Sequence, residues 1–206
     1  MPIGPGGLDS NGIWQYGEDD TEALASDLLN LGMASISTEV GLLDAAVAAI
    51  VTGQILQVVH AEKLDTFTTT SSSFVDITDL DANITPSGIS SKVIVISRIS
   101  FSNTSSNTAL AKILRDATDL TIGTPVSSRP GAAAAGTADA STSGFVYNDA
   151  TVFHYDSPAS TSELTYKAQI RRGAGGTAVV NRSGNDNDND NNPRTFSSIT
   201  LMEVAG

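Results

Sequence analysis

Asp186, Asp188 and Asp190 alternate with asparagines in the polar run at residues 184–192. Carboxylate oxygens at every second position are hard donors of the kind calcium prefers. An EF-hand loop would also need Gly after the third Asp and a later Glu, but Asn191 and Ser197 occupy those places. Two readings stay open: an oxygen cage of another geometry for calcium or magnesium, or a polar hairpin tip in water. No other cofactor is expected.

Catalytic chemistry has little material. His60 and His154 are the two histidines. His154 with Asp156 and the abundant serines could supply a Ser-His-Asp triad. In a strand, however, residues 154 and 156 share a face for ordinary packing reasons, and no nucleophile-elbow sequence is present. The carboxylates Asp79/Asp81 and Glu18/Asp19/Asp20 could serve a glycosidase, but they read better as solvated turn acids. Arg171-Arg172-Gly173-Ala174-Gly175-Gly176 lacks the spacing and the Lys-Ser/Thr of a phosphate loop and reads as a hairpin turn. The sequons at Asn83, Asn103 and Asn181 are taken as accidental. No catalytic residue is assigned, and the chain is not expected to be an enzyme.

Composition narrows the classes further. A net charge of −12 repels nucleic-acid phosphates, so no nucleic-acid partner is expected. The absence of cysteine excludes disulfides, thiolate zinc sites and cysteine nucleophiles. The N-terminal residues carry no basic region followed by an apolar stretch, so no secretory signal is expected. Residues 42–59 are long and rather apolar, but Asp44, Gly53, Gln54 and Gln57 interrupt them and no membrane insertion is expected. Charged residues are scarce, at 17%, and Ser, Thr, Asn, Gly and Ala fill their place, a mix suited to strands and turns.

The elements that would position any site fall into three parts. Residues 1–35 read as an irregular arm with a short helix at 21–32, capped by Thr21 and stopped at Gly32. Ile13, Trp14 and Tyr16 lie in that arm; Trp14 either folds back on its own domain or docks on a partner. Residues 36–62 read as a helical stalk. Ile36, Val40, Leu43, Val47 and Ile50 are spaced 4, 3, 4 and 3 apart, the rhythm of a coiled-coil seam. β-Branched residues at both seam positions favour three strands over two. The alternative is an amphipathic helix packed on its own domain. The seam turns polar at Gln54 and Gln57.

Residues 63–206 read as a mainly β head. Ser73 to Asp79 alternates, and Thr85-Pro86-Ser87-Gly88 is a turn. Residues 92–101 form the strongest strand, apolar on both parities and therefore central. Residues 107–116 read as strand, 127–143 as a small-residue loop, and 144–155, 163–171, 177–182 and 195–204 as further strands. Short strands with turns between them indicate a sandwich or barrel.

The head resembles a module found in fibre, spike and capsid-decoration proteins of tailed bacteriophages. Asp65-Thr66-Phe67-Thr68-Thr69-Thr70-Ser71-Ser72-Ser73-Phe74-Val75-Asp76 resembles its first hairpin. Ser90-Ser91-Lys92-Val93-Ile94-Val95 resembles the start of its central strand. Asp156-Ser157-Pro158-Ala159 with Thr165-Tyr166-Lys167 resembles its late turn, and Thr200-Leu201-Met202-Glu203-Val204 its last strand. Asn11-Gly12-Ile13-Trp14-Gln15-Tyr16 with Asp27-Leu28-Leu29-Asn30-Leu31-Gly32 resembles the attachment segment of such proteins. The Asn/Asp run departs from the pattern. The resemblance implies a homotrimer in the virion: a β-sandwich, jelly-roll-like head on a short coiled-coil stalk. Its arm would bind a capsid, neck or tail protein, and its head a host-surface glycan. A capsid cement protein, a small glycan-hydrolysing spike and a cellular trimeric adhesin are the alternatives.

Overall fold

A computed structural model describes residues 7–8, 14–15, 18–120, 122–137 and 145–206, with side chains at 29–47 and from 52 onwards among them. The chain divides into two compact units, 1–52 and 53–206.

The first unit is dominated by one helix, α1 (Glu18–Val51), preceded by a minimal antiparallel pair of β1 (Gly7–Leu8) and β2 (Trp14–Gln15). The short helix and separate stalk expected from the sequence are therefore a single helix. Glu18, Asp19 and Asp20 occupy its first turn, where the helix dipole favours carboxylates. Gly32 does not stop it; a glycine inside a helix costs about 1 kcal/mol, which the surrounding Ala, Leu and Glu can carry. The helix ends at Val51 rather than running to residue 62. Gly53, at φ 82°, takes the left-handed conformation that suits a residue just past a helix. Thereafter Ile55, Val58 and Val59 supply β-branched residues, and the alternation of exposed and inward positions is that of a strand. The head thus begins at Gly53, not Lys63.

The strands of the second unit are β3 (Ile55–Lys63), β4 (Phe67–Thr69), β5 (Val75–Ile84), β6 (Lys92–Asn103), β7 (Thr108–Arg115), β8 (Thr118–Leu120), β9 (Ala134–Thr137), β10 (Asn148–Asp156), β11 (Leu164–Arg172), β12 (Ala178–Val180) and β13 (Ser197–Val204). Among the described residues they form two antiparallel sheets. One runs β3-β13-β6-β12-β4 with β10 also on β6; the other runs β5-β11-β7-β8 with β9 also on β7. Arg98 pairs with both Ser198 and Thr151, and Phe101 with both Val180 and Asn148. β12 and β13 therefore share one edge of β6 and β10 holds the other. In outline the two layers are β3-β13-β6-β10 and β5-β11-β7-β8/β9, joined by chain crossings between layers, which is a jelly roll. The segment 173–177 is one such crossing: β11 and β12 lie in different sheets, so it is not the expected hairpin turn.

The core lies between the layers. Val93, Val95, Ile99 and Phe101 face it from β6, Tyr166, Ala168 and Ile170 from β11, and Ile199 and Leu201 from β13. β5 changes parity partway. Asp76 pairs with Gln169 and Asp81 with Lys167, leaving residues 77–80 opposite one partner residue. Asp79 takes φ 61° in this bulge, and Ile77 and Leu80 both turn inwards despite their opposite parity.

Two buried carboxylates tie the layers and their loops. Asp156, at the end of β10, accepts hydrogen bonds from Arg115 Nη1 on β7 and the Tyr166 hydroxyl on β11, each at 2.6 Å, and from the Ser157 amide at 2.9 Å. Burial, then this bond, pushes the Tyr166 hydroxyl pKa well above the ordinary tyrosine value. Glu203, on β13, accepts from Gln57 Nε2 at 2.6 Å and from the Ser87 amide and hydroxyl at 2.7 and 2.6 Å. It therefore joins β3 to the β5–β6 loop. Burial alone would raise its pKa, but hydrogen bonds from Ser87, Gln57 and Ser91 hold it at about 2. A third knot surrounds the buried Asn181. It donates to the Lys63 and Asp65 carbonyls at 2.9 and 2.8 Å and accepts from Ser197 Oγ at 2.7 Å. Asn103 and Asn181 are wholly buried, so neither sequon is open to glycosylation in the folded chain.

Two stability outcomes follow from these knots. Asp156→Ala leaves Arg115 and the Tyr166 hydroxyl without their acceptor, and is expected to cost about 3–5 kcal/mol in urea unfolding, against about 1 kcal/mol for Tyr166→Phe. Glu203→Gln is expected to cost about 1–3 kcal/mol at neutral pH. Because the folded pKa of Glu203 is depressed, its contribution is present above the ordinary value of 4.5 and is lost as pH falls towards about 2. The urea midpoints of wild type and Glu203→Gln should therefore converge across that interval; a gap that stays constant would contradict the assignment.

Candidate functional site

Helix α1 presents an unusual surface. Every described side chain from residue 29 to 47 is exposed, including Ile36, Val40, Leu43 and Val47 of the seam, with Val40 at 50% and Val47 at 57%. The Ile50 side chain lies outside the described residues. Leu29, Leu31, Met33 and Leu42 are exposed as well, so the apolar surface is broader than a narrow seam. Thr38 Oγ1 donates to the Ala34 carbonyl at 2.9 Å, satisfying its hydroxyl within the helix. A helix in a protein gains most of its stability from packing an apolar face, and over residues 29–47 this one leaves that face exposed. Among the described residues, no helix is long and apolar enough to cross a membrane.

Of the expected anchoring residues, Ile13 and Tyr16 lie outside the described residues. The Trp14 backbone pairs with Leu8, which puts it in a short strand rather than irregular chain; its side chain is not among those described.

The Asn/Asp run forms the connection between β12 and β13. Its asparagines fold it locally: Asn185 Oδ1 accepts from the Asn187 amide at 3.3 Å, and Asn189 Oδ1 from the Asn191 amide at 2.9 Å. Asp186 is engaged by Arg194 and, at 3.7 Å, by Arg182. The hydrogen bond from Arg194, aided by the charge of Arg182, lowers its pKa. Asp186 therefore already has cationic partners, and no group of three or more His, Cys, Asp or Glu side chains among the described residues gathers as Asp186, Asp188 and Asp190 would need to around one ion.

His154 and Asp156 do come together, with Nε2 to Oδ1 at 4.0 Å. Asp156 is nevertheless committed to Arg115 and Tyr166, which makes it a packing group. Asp79 and Asp81 line an open cavity of about 420 Å³ with Asp76, Thr165 and Lys167. Asp76 there accepts from Gln169 at 2.6 Å and Lys167 at 2.9 Å, and those bonds lower its pKa. A glycosidase acid needs the opposite shift.

The feature that sequence reasoning underused is the outer face of the first sheet. Apolar residues on both parities of β6 predict a central strand. It is central in its sheet, yet Ile94 and Ile96 face away from the core and remain partly exposed. That signal was legible in the alternating Val93, Ile94, Val95 and Ile96.

No protein-family profile matches the chain, and no curated protein does. Among solved structures, it is similar to the structure of infectious bursal disease virus Gx strain, at 14% identity and TM-score 0.36 over 75% of this chain and 43% of that one. It is also similar to the infectious bursal disease virus VP2 subviral particle, at 17% identity and TM-score 0.34 over 73% of this chain and 38% of that one. The chain thus spans less than half the length of either.

Proposed function

We propose that this chain is a structural subunit of a virus particle, a homotrimeric fibre or spike of the tailed-phage kind. Its helices associate along Ile36, Val40, Leu43, Val47 and Ile50. The segment with Ile13, Trp14 and Tyr16 docks on another virion protein. The jelly-roll head is presented outwards, to adhere to host-surface glycan. The observation that carries this reading is the helix: it exposes a seam of β-branched and leucine side chains, on a chain whose head already closes its own core. Apolar surface of that extent on a soluble protein marks an interaction site. The spacing suits a coiled coil, and β-branched residues at both seam positions suit three strands. The resemblance of the arm and head motifs to phage fibres gives the assembly its setting. Three heads on one stalk, repeated over a particle, turn weak surface contacts into avidity. The head's buried carboxylates serve packing, which favours a structural over a hydrolytic role.

The native mass of the full chain tests this. Light scattering should give three times the 21.2 kDa chain mass. Val40→Asp with Val47→Asp should lower that mass while circular dichroism retains the β signal of the head. A wild-type monomer at micromolar concentration would overturn the proposal.

A further inference from the structure

We propose that the outer face of the β3-β13-β6-β10 layer is a second self-association surface, buried against the same face of other copies of this chain. The inference rests on the reading that α1 joins copies, and goes beyond it by assigning an interface in the head.

The strand registers place the outward side chains in rows. One row runs Val58, Met202, Ile94 and Tyr155 across the four strands. The next runs His60, Thr200, Ile96 and Phe153. Val58 is 57% exposed, Tyr155 53% and Phe153 59%. With strands about 4.8 Å apart and same-face rows about 6.8 Å apart, the patch is on the order of 300 Å². That size is common for a functional patch on a monomer and suits the apolar centre of a larger interface.

The other layer makes the contrast. Its outer face carries Asp76, Lys167 and Gln169 in mutual hydrogen bonds, and Lys112 paired with Asp119 at 2.6 Å. That is a face built for water. Both sheets bury an inner face of their own, so the apolar rows on one outer face are additional to the core.

Two observations identify the occupant as another copy. The first is electrostatic. With a net charge of −12, copies repel over most of their surface. No carboxylate residue belongs to these two rows; the nearest, Glu62, lies against His60 of the second at 3.3 Å. Charges flank the rows on both sides: Lys92 lies opposite Val204 beyond the first, and Glu62 and Arg98 lie with Ser198 and Thr151 beyond the second. A second acidic copy therefore meets no row of carboxylates on this face.

The second is connectivity. The apolar rows lie towards the end of the sheet where β3 starts, and β3 starts at Ile55, after α1 ends at Val51. Three intervening residues span about 10 Å at most. Helices that associate therefore bring the β3 ends of their heads within reach of each other, and raise the effective concentration of this face for itself.

The chain has no cysteine, so a single introduced thiol reports its own surroundings. Val58→Cys and Phe153→Cys are compared with Asn83→Cys, an exposed position on the other sheet, in the full chain under reducing conditions. Circular dichroism establishes that each variant is folded, and light scattering its mass. In the multimer, Val58→Cys and Phe153→Cys should react with iodoacetamide at least about tenfold more slowly than Asn83→Cys, and the difference should vanish on dilution to monomer. Equal rates in a multimer would overturn the inference and leave the helix reading standing. A monomer at every concentration would remove both.

Discussion

Apolar surface must leave water, and this chain accomplishes that by itself only in part of its length. In the head, two antiparallel layers press their inner faces together, and Ile, Val, Leu and Tyr166 are removed from solvent almost completely. In the helix, every described apolar side chain stays in water. Burying such side chains is worth about 1.5–3 kcal/mol each, and the described part of the helix, residues 29–47, forgoes that within its own chain. In the proposed assembly the helix would acquire its partner from another copy, and the apolar rows outside β6 and β13 would follow the same logic.

Within the head, the inward-facing charges show how a jelly roll tolerates polar groups at its seams. Asp156 sits where β10 ends, at the boundary between the layers, and joins one sheet to two strands of the other. Glu203 does the same for β3, β13 and the loop after β5. Each carboxylate is stabilised by several donors, so desolvation is offset. These groups look catalytic when read in isolation, as His154 and Asp156 do. Their donors come from the strands and the loops that join them rather than from a cleft, and this is what assigns them to packing.

Much of the head was legible in sequence because strands of period two leave a direct imprint. The central place of the strand at residues 92–101, the strand character of residues 107–116, and the positions of β10, β11 and β13 all read correctly. The bulge in β5 was harder: Ile77 and Leu80 have opposite parity, and only the four residues 77–80 standing against Ala168 alone explain how both are buried. The helix was misdivided because Gly32 is a stop signal locally and a tolerated residue inside a strong helical run. It was also overextended, because residues 55–62 continue to be apolar while their period changes from the helical to the strand repeat. The partners of Glu203 and Asp156 were out of reach, since Gln57, Ser87, Arg115 and Tyr166 meet them only through long-range pairing. Whether Asp186, Asp188 and Asp190 form a cage could not be read either. Alternation supplies ligands, but the nearby Arg182 and Arg194 compete for the first of them.

In the proposed assembly the helix persists because copies of the chain cover it. Far-ultraviolet circular dichroism followed along a dilution series, with mass measured in parallel, addresses that claim directly. If the account is right, the helical signal at 222 nm falls as the multimer dissociates, while the β signal of the head persists. A helical signal that is unchanged in a demonstrated monomer would mean that the helix stands without a partner, and the account would be wrong.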